Sequence, residues 1–288
     1  MTNAIGNAKR GGFLYFAALI LFWALSFIGR EILSVFEVSE TASFAVSSLF
    51  SVAAFVFFTV MYVKNGGEIA CVRKFSPVYL APSLLLAAGM LLGLGFLNSL
   101  VAEIVKSVGG VVKSSDIPLD TPFQYVLFSV LLCAFPAIAE ELFFRGVLLN
   151  SLAGVKKTAG VFTVALCFAL YHGSVAQLFY QFIYGLGLCF LTLKAKSVIP
   201  AVIAHFANNF AVLSLTYFQI PVDLTNKVVI IVGSTLLVNF VLFLIFYGNA
   251  PSDKRANTES VKDFYLPFGV VGVSAAALLI IFSALPLT

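Results

Sequence analysis

Residues 139–146 read AEELFFRG and place two glutamates and an arginine at the end of an apolar run. The run ahead of them, residues 123–138, contains no charged side chain. A charge at the centre of a membrane helix costs roughly 2.5–3.5 kcal/mol on insertion scales. Three charges in this setting need a function or a partner to account for them, so the stretch marks a candidate site.

The composition predicts a polytopic membrane protein of the all-α class. Hydrophobic residues make up 61% of the 288-residue chain, charged residues only 10%, and the mean hydropathy is +1.05. Soluble domains typically carry about 25% charged residues. The net charge of +4 does not indicate nucleic-acid binding, because the basic residues stand singly or in pairs between apolar runs. We expect the lipid bilayer to be the main surroundings of the chain.

Nine apolar runs are candidates for membrane spans, which need about 20 mainly apolar residues. The runs cover residues 13–29, 42–63, 78–101, 122–150, 158–173, 176–193, 198–217, 227–248 and 265–286. The short fifth and sixth runs also fit a tight helical hairpin around residues 172–174. We therefore expect a transmembrane helical bundle of eight or nine spans.

The basic residues predict a cytoplasmic N-terminus. With that orientation, 12 of the 17 Lys and Arg residues fall on cytoplasmic segments and four on external ones, and Arg145 lies within a span. This bias follows the rule that cytoplasmic loops are rich in Lys and Arg. The external four are Arg30, Lys106, Lys113 and Lys227, and residues 249–263 are expected to form a cytoplasmic connection.

The first run has an alternative interpretation as a secretory signal peptide. Lys9 and Arg10 precede it, and residues 24–26 form a weak cleavage site. The bulky Phe22 and Trp23 beside that site favour a retained membrane span.

Glycines and prolines predict local features of the helices. Gly89 and Gly93, four residues apart, permit close contact between helices. Residues 120–122 and Pro200 are typical of helix starts. Pro136 lacks a backbone donor and predicts a kink or local opening ahead of the acidic pair. The four cysteines, Cys71, Cys133, Cys167 and Cys189, are isolated in sequence and predicted to be small buried apolar groups rather than zinc ligands or disulfides.

The spacing within residues 139–146 divides the charged cluster into a pair and a single carboxylate. Glu141 and Arg145 are four residues apart on one helix face, in the favourable order. Glu140 is rotated by about 100° from Glu141 and faces a different neighbour. We expect Arg145 to neutralise and orient Glu141, and Glu140 to be free to act.

The two histidines of the chain supply further polar groups within apolar runs. His172 ends the fifth run, and His205 lies in the seventh, with Asn208 and Asn209 on the same helix face. At 1.5 Å per residue, Glu140 lies roughly 15–18 Å from the cytoplasmic end of its helix, His172 roughly 21 Å and His205 roughly 11 Å. These depths predict one shared cavity in the middle to cytoplasmic half of the bilayer.

Three motifs on successive helices carry a resemblance to a known family. Glu140-Glu141-xxx-Arg145, Phe168-xxx-His172 and His205-xxx-Asn209 resemble, in this order, the motifs of the CAAX protease and bacteriocin-processing (Abi) family of intramembrane proteases. This family includes the type II CAAX prenyl endopeptidases. The similarity covers about residues 120–220.

The resemblance implies a role for each matching residue. Glu140 would be the general base that activates water, and His172 would hold that water or a metal. His205 and Asn209 would stabilise the oxyanion, and Glu141 with Arg145 would be an orienting pair. Zinc bound by Glu140, His172 and His205 is one version of this site, and a metal-free glutamate mechanism is the other.

The leading hypothesis is therefore an intramembrane endopeptidase acting on a membrane-embedded or lipidated peptide or protein near the cytoplasmic leaflet. Its organisation would be N-terminal membrane helices in residues 1–119, a catalytic core in 120–220 and C-terminal membrane helices in 221–288. The short loops favour a bacterial plasma membrane. A non-catalytic immunity or scaffold protein is the alternative, and a transporter is disfavoured because no repeat relates the two halves of the chain.

Overall fold

The computed structural model describes residues 7–36, 38–67, 69, 75–112, 117–247 and 259–284. These residues form a bundle of helices, and no strand occurs among them. In chain order the main helices are α1 (Asn7–Val35), α2 (Glu40–Lys64), α3 (Pro77–Ser107), α4 (Pro122–Ser151), α5 (Lys157–Tyr171), α6 (Leu178–Ala195), α7 (Ile199–Tyr217), α8 (Lys227–Phe246) and α9 (Val270–Ala284). A short helical turn, Val261–Phe264, precedes α9.

The all-α membrane class is confirmed. Seven described helices are long and apolar enough to cross a membrane, and α5 and α9 are two shorter apolar helices. Together they correspond to the nine apolar runs of the sequence. The fifth and sixth runs are separate helices, joined by the short connection that contains His172 and Gly173. The chain is an integral membrane protein.

Hydrogen bonds between helix ends show which ends lie together. The start of α1 meets the end of α2, where Arg10 donates to the carbonyl of Tyr62 at 3.3 Å. The start of α3 meets the end of α6, where the Tyr79 hydroxyl donates to the Lys194 carbonyl at 2.8 Å. At the opposite end, Gln124 of α4 donates to Thr41 of α2 at 2.9 Å. The helices therefore alternate in direction, as membrane spans joined by short connections do.

The start of α4 is determined by local side-chain chemistry. The Thr121 side chain accepts from the backbone N–H of Gln124, and the Gln124 side chain accepts from the Thr121 N–H. This capping box satisfies two donors that the first turn leaves unpaired. Pro122 follows in the first turn, where its missing N–H costs nothing. The predicted helix start is confirmed here, and Pro200 likewise lies in the first turn of α7, as its second residue.

The middle of α4 departs from regular α-helix on both sides of the acidic pair. Ser129–Ala134 and Leu142–Leu148 are π-helical, and the α-helical turn Phe135–Glu141 lies between them. Pro136 cannot donate to the carbonyl one turn earlier, which accounts for a wider turn before it. The predicted local opening ahead of the glutamates is confirmed. These π-helical segments affect the direction in which the charged side chains project from α4.

The glycines of α3 are packing residues, as predicted. A Cβ on Gly89 would lie 2.9 Å from Leu237 of α8, and one on Gly93 would lie 2.8 Å from the backbone of Gly233. The contact is reciprocal, because a Cβ on Gly233 would lie 2.0 Å from the Gly93 nitrogen. The two helix backbones therefore touch, which places α8 directly against α3.

Several residues of the sequence analysis lie outside the described part of the chain. They are Cys71, Arg73, Lys74, Lys113, Lys254 and Arg255, with most of the connection 249–263. The remaining cysteines, Cys133, Cys167 and Cys189, are free and buried, as predicted. The side to which the N-terminus points and the division at residues 119 and 220 stay predictions.

The Gly93–Gly233 contact predicts that Gly233→Ala destabilises the bundle. The new methyl group has to push α8 away from α3, and overpacking of this kind typically costs about 1–3 kcal/mol. Thermal unfolding of the purified protein in detergent measures the loss as a lower midpoint. Ser234→Ala is the matched control, since Ser234 is exposed on the same turn. Equal midpoints for both variants would contradict the packing role of Gly233.

Candidate active site between α4, α5 and α7

The six residues singled out in the sequence come from three helices that lie side by side. Glu140, Glu141 and Arg145 belong to α4, His172 follows the last residue of α5, and His205 and Asn209 belong to α7. Direct contacts join four of them, Arg145, Glu141, His205 and Glu140, into one chain of polar groups. His172 and Asn209 lie in the wall of an adjoining cavity.

Arg145 and Glu141 form a fully buried ion pair, as predicted. The Arg145 Nη1 donates to Glu141 Oε1 at 2.7 Å, and both side chains have 0% exposure. The Arg145 Nη2 also donates to the Gly185 carbonyl of α6 at 3.3 Å, and the guanidinium lies 4.3 Å from the centre of the Phe168 ring. A buried charge needs such partners because desolvation is expensive. The pair therefore ties α4 to α5 and α6.

The same oxygen of Glu141 also contacts His205. The distance from His205 Nδ1 to Glu141 Oε1 is 2.9 Å. Because a carboxylate only accepts, Nδ1 carries a proton and donates it. The other ring nitrogen, Nε2, then points towards Glu140, whose Oε2 lies 3.9 Å away. Glu141 thus fixes both the orientation of the imidazole and the identity of its protonated nitrogen.

Glu140 is buried with only one of its two oxygens engaged. Its Oε1 accepts a hydrogen bond of 3.2 Å from the Tyr171 hydroxyl. Its Oε2 has no hydrogen-bond partner among the described residues, although the side chain is 5% exposed. A buried carboxylate oxygen with no donor nearby calls for an explanation, and catalytic roles are a common one. The oxygen next to His205 is the one that remains available for a substrate or a water.

Tyr171 is a site residue that the sequence analysis did not identify. It lies on α5 directly before His172, and its ring packs against Phe55 at 4.7 Å, Phe22 at 5.0 Å and Phe144 at 5.8 Å. A tyrosine within an apolar helix gives no spacing signal of its own. Only the approach of α5 to α4 shows that its hydroxyl reaches Glu140.

His172 has one nitrogen engaged and its ring against Phe168. Its Nδ1 donates to the Phe168 carbonyl at 2.8 Å, and the two rings are 4.7 Å apart. The other nitrogen, Nε2, is thereby left as an acceptor. His172 lines a cavity of about 800 Å³ together with Asn209. Phe168 therefore contacts His172 through both its ring and its carbonyl, one helical turn earlier, as the spacing of the motif predicts.

Asn209 belongs to a network of amides that runs from α6 to α4. Its Nδ2 donates to the Leu132 carbonyl at 3.4 Å, and its Oδ1 accepts from Asn208 at 3.4 Å. The Tyr180 hydroxyl of α6 donates to Asn208 Oδ1 at 2.6 Å. Leu132 lies in the first π-helical segment of α4, where the wider turn makes its carbonyl accessible. The sequence placed Asn208 on the same helix face as His205, but it gave no signal for Tyr180.

The donor geometry does not fit a metal site. Among the described residues, no group of three or more His, Cys, Asp or Glu side chains is arranged to hold a metal ion. Of the three predicted ligands, His205 and Glu140 are 3.9 Å apart, and His172 belongs to the cavity wall. Zinc at Glu140, His172 and His205 therefore stays a prediction that these positions do not support.

Comparison with known proteins identifies one family. Residues 122–211, which are 90 of the 288 residues, match the family described as type II CAAX prenyl endopeptidase Rce1-like. The matching segment contains all six predicted site residues, and it confirms the resemblance drawn from the three motifs. No curated protein and no solved structure matches the chain.

The buried ion pair predicts an asymmetry between single and double substitutions. Arg145→Ala leaves the Glu141 carboxylate buried without its cation, which typically costs about 3–5 kcal/mol. Replacing both partners, as in Glu141→Leu with Arg145→Met, removes the uncompensated charge and should restore much of the loss. Yield in membranes and thermal unfolding in detergent measure both effects.

An exposed basic residue provides the control for this comparison. Lys157→Ala, at the start of α5, should leave stability unchanged. A double variant that is as unstable as Arg145→Ala would show that the pair has a role beyond mutual neutralisation.

Proposed function

Since residues 122–211 form an Rce1-like segment, we propose that this protein is an intramembrane endopeptidase. It hydrolyses a peptide bond of a membrane-associated peptide or lipidated protein. The observation that carries the proposal is the buried Glu140 carboxylate, with one oxygen held by Tyr171 and the other free beside His205. The protein would be a multi-pass component of a bacterial plasma membrane.

Glu140 has the position of a general base. Its free Oε2 takes a proton from a water molecule as the water oxygen attacks the carbonyl carbon of the scissile bond. The tetrahedral intermediate then collapses when the C–N bond breaks, and the proton held by Glu140 passes to the leaving nitrogen. The products are one chain with a new carboxyl group and one with a new amine. Tyr171 keeps the carboxylate oriented while its charge changes.

His205 acts beside Glu140. The Glu141–Arg145 pair orients it from the side of the ring that faces away from Glu140. The Nδ1–H of His205 is engaged by Glu141, so a hydrogen bond to the oxyanion has to come from Nε2. That donation requires a proton on both nitrogens, and Glu141 supplies the countercharge for the resulting imidazolium. Preorganised donors of this kind stabilise developing negative charge strongly where water is scarce.

His172 and Asn209 act from the cavity side of the site. With Nδ1 bonded to the Phe168 carbonyl, His172 presents Nε2 as an acceptor that can hold the attacking water. Asn209 supplies a second donor for the oxyanion, although its amide is held by Leu132 at 3.4 Å. A bond of that length is weak, so the amide can turn to a substrate at small cost.

The base assignment predicts that Glu140→Gln abolishes peptidase activity. General acid–base catalysis typically contributes about 10²–10⁴-fold, and an amide cannot take the proton. Comparing the membrane peptides of cells with the wild-type and the variant protein identifies the substrate, and its rate of cleavage measures the loss. Glu103→Gln, an exposed glutamate of α3, is the matched control. Full biological activity of a well-folded Glu140→Gln protein would instead favour the immunity or scaffold function.

The Tyr171 contact predicts a smaller loss. Tyr171→Phe retains the ring packing and removes the hydroxyl that positions Glu140. A hydrogen bond to a charged group contributes about 1.5–3 kcal/mol, so the cleavage rate should fall by roughly ten- to a hundredfold. Tyr15→Phe is the control, because it removes another buried hydroxyl bonded to α5, at the Cys167 carbonyl. Equal rates for the two variants would remove Tyr171 from the site.

A further inference from the structure

The basic residues at the helix ends are divided unevenly between the two ends of the bundle. One end of the bundle is formed by the start of α1, the end of α2, the α4–α5 and α6–α7 connections and the helical turn Val261–Phe264. We call it the basic end. Eight described Lys and Arg residues lie there: Lys9, Arg10, Lys64, Lys156, Lys157, Lys194, Lys196 and Lys262. The opposite end carries Arg30, Lys106 and Lys227. This distribution indicates that the basic end is cytoplasmic.

The cavity that contains His172 and Asn209 lies in the half of the bundle away from the basic end. Its walls are the later part of α3, the first part of α4, the start of α6 and the second half of α7. Ile117, Ile220 and Leu224, which lie just before α4 and between α7 and α8, complete its lining. The exposed lining residues Gln177 and Thr216 also lie at this end. The mouth of the cavity is therefore opposite to the basic end.

On the side of the site that faces the basic end, the described side chains of α4 are closely packed. The side chains of α4 that follow Glu141 in this direction are packed into the core, and Phe143, Phe144, Val147 and Leu148 each have 0% exposure. The Arg145–Glu141 pair fills the space between α4 and α6. A substrate approaching from the basic end would have to displace this packing.

The lining of the cavity suits a peptide backbone. Uncharged polar side chains lie on its walls: Asn98, Gln177, Gln181, Asn208, Asn209 and Thr216. Among the described residues, no Asp, Glu, Lys or Arg lines it. Amides and hydroxyls both donate and accept, which matches the alternating N–H and C=O groups of an extended chain. The volume of about 800 Å³ falls within the roughly 300–1,000 Å³ of ligand pockets.

We propose that this cavity opens to the extracytoplasmic side of the membrane and that a peptide substrate reaches Glu140 from that side. The identity of the occupant rests on the proposed peptidase function, whereas the side of access does not. The proposal replaces the expected approach near the cytoplasmic leaflet. It favours exported peptides, or the external segments of membrane proteins, over lipidated proteins that are confined to the cytoplasm.

Single cysteines report the side of access without any need for activity. The experiment places a cysteine in the cavity (Gln181→Cys), on the connection beside its mouth (Thr225→Cys) or at the basic end (Lys156→Cys). Cys71→Ser with Cys133→Ser is the common background, since Cys133 lines the cavity. The other two described cysteines, Cys167 and Cys189, are buried away from it. A membrane-impermeant maleimide is then applied to spheroplasts and to inverted membrane vesicles of a bacterial host.

The expected result is labelling of Gln181→Cys and Thr225→Cys in spheroplasts, and of Lys156→Cys only in inverted vesicles. Labelling of Gln181→Cys from the same side as Lys156→Cys would overturn the proposal. So would a Gln181→Cys protein that reacts from neither side while the two controls react, because the cavity would then be closed to water.

Adding Glu140→Gln separates this inference from the proposed function. The labelling pattern should stay the same in the inactive variant, because the substitution does not change the mouth of the cavity. If the wild-type protein shows the expected labelling pattern but cleaves no peptide, the peptidase is overturned and the side of access is supported. A reversed pattern in a protein that does cleave peptides would overturn the side of access alone.

Discussion

The ion pair between Arg145 and Glu141 is the constraint on which the site depends. Both charges are completely buried, so each requires the other, and each partner also makes a hydrogen bond to a neighbouring helix. Arg145 reaches the Gly185 carbonyl of α6, and Glu141 reaches His205 of α7. One interaction thereby sets the relative positions of α4, α6 and α7. The His205 imidazole is therefore oriented by Glu141, which does not line the cavity.

The free carboxylate, Glu140, is positioned by a different part of the bundle. Tyr171 holds it, and Tyr171 is in turn packed against Phe22 of α1 and Phe55 of α2. These two helices precede the family segment at residues 122–211. The flanking helices therefore contribute to the geometry of the site without supplying a polar group to it. Aromatic rings are suited to this task, because they bury a large area in few rotamers.

The polar residues of the candidate site lie in two different environments. Glu140, Glu141, Arg145 and His205 form a buried cluster, whereas His172 and Asn209 lie on the wall of a larger cavity with several amides. The two π-helical segments of α4 lie between the cluster and the cavity. In the first segment the Leu132 carbonyl accepts a hydrogen bond from Asn209, and the second segment contains Arg145. Tyr171 and His172 connect the two, because Tyr171 donates to Glu140 and the next residue, His172, lines the cavity.

The sequence alone determined the membrane class, the apolar runs that form the main helices of the described residues, and the helix start at Thr121. It also determined that Gly93 permits a close helix contact and that Glu141 and Arg145 pair. Each of these follows from local rules, because hydropathy, capping and i,i+4 spacing act within one segment. The tertiary structure decided what depends on helix packing: the bond from Glu141 to His205, the approach of Tyr171 to Glu140 and the placement of Asn209 on the cavity wall. The estimates of depth placed the three motifs at a similar distance from the membrane surface. They could not predict how each helix is rotated about its own axis. That rotation is decided by side-chain packing between helices, so the sequence predicted the members of the site and the fold determined their partners.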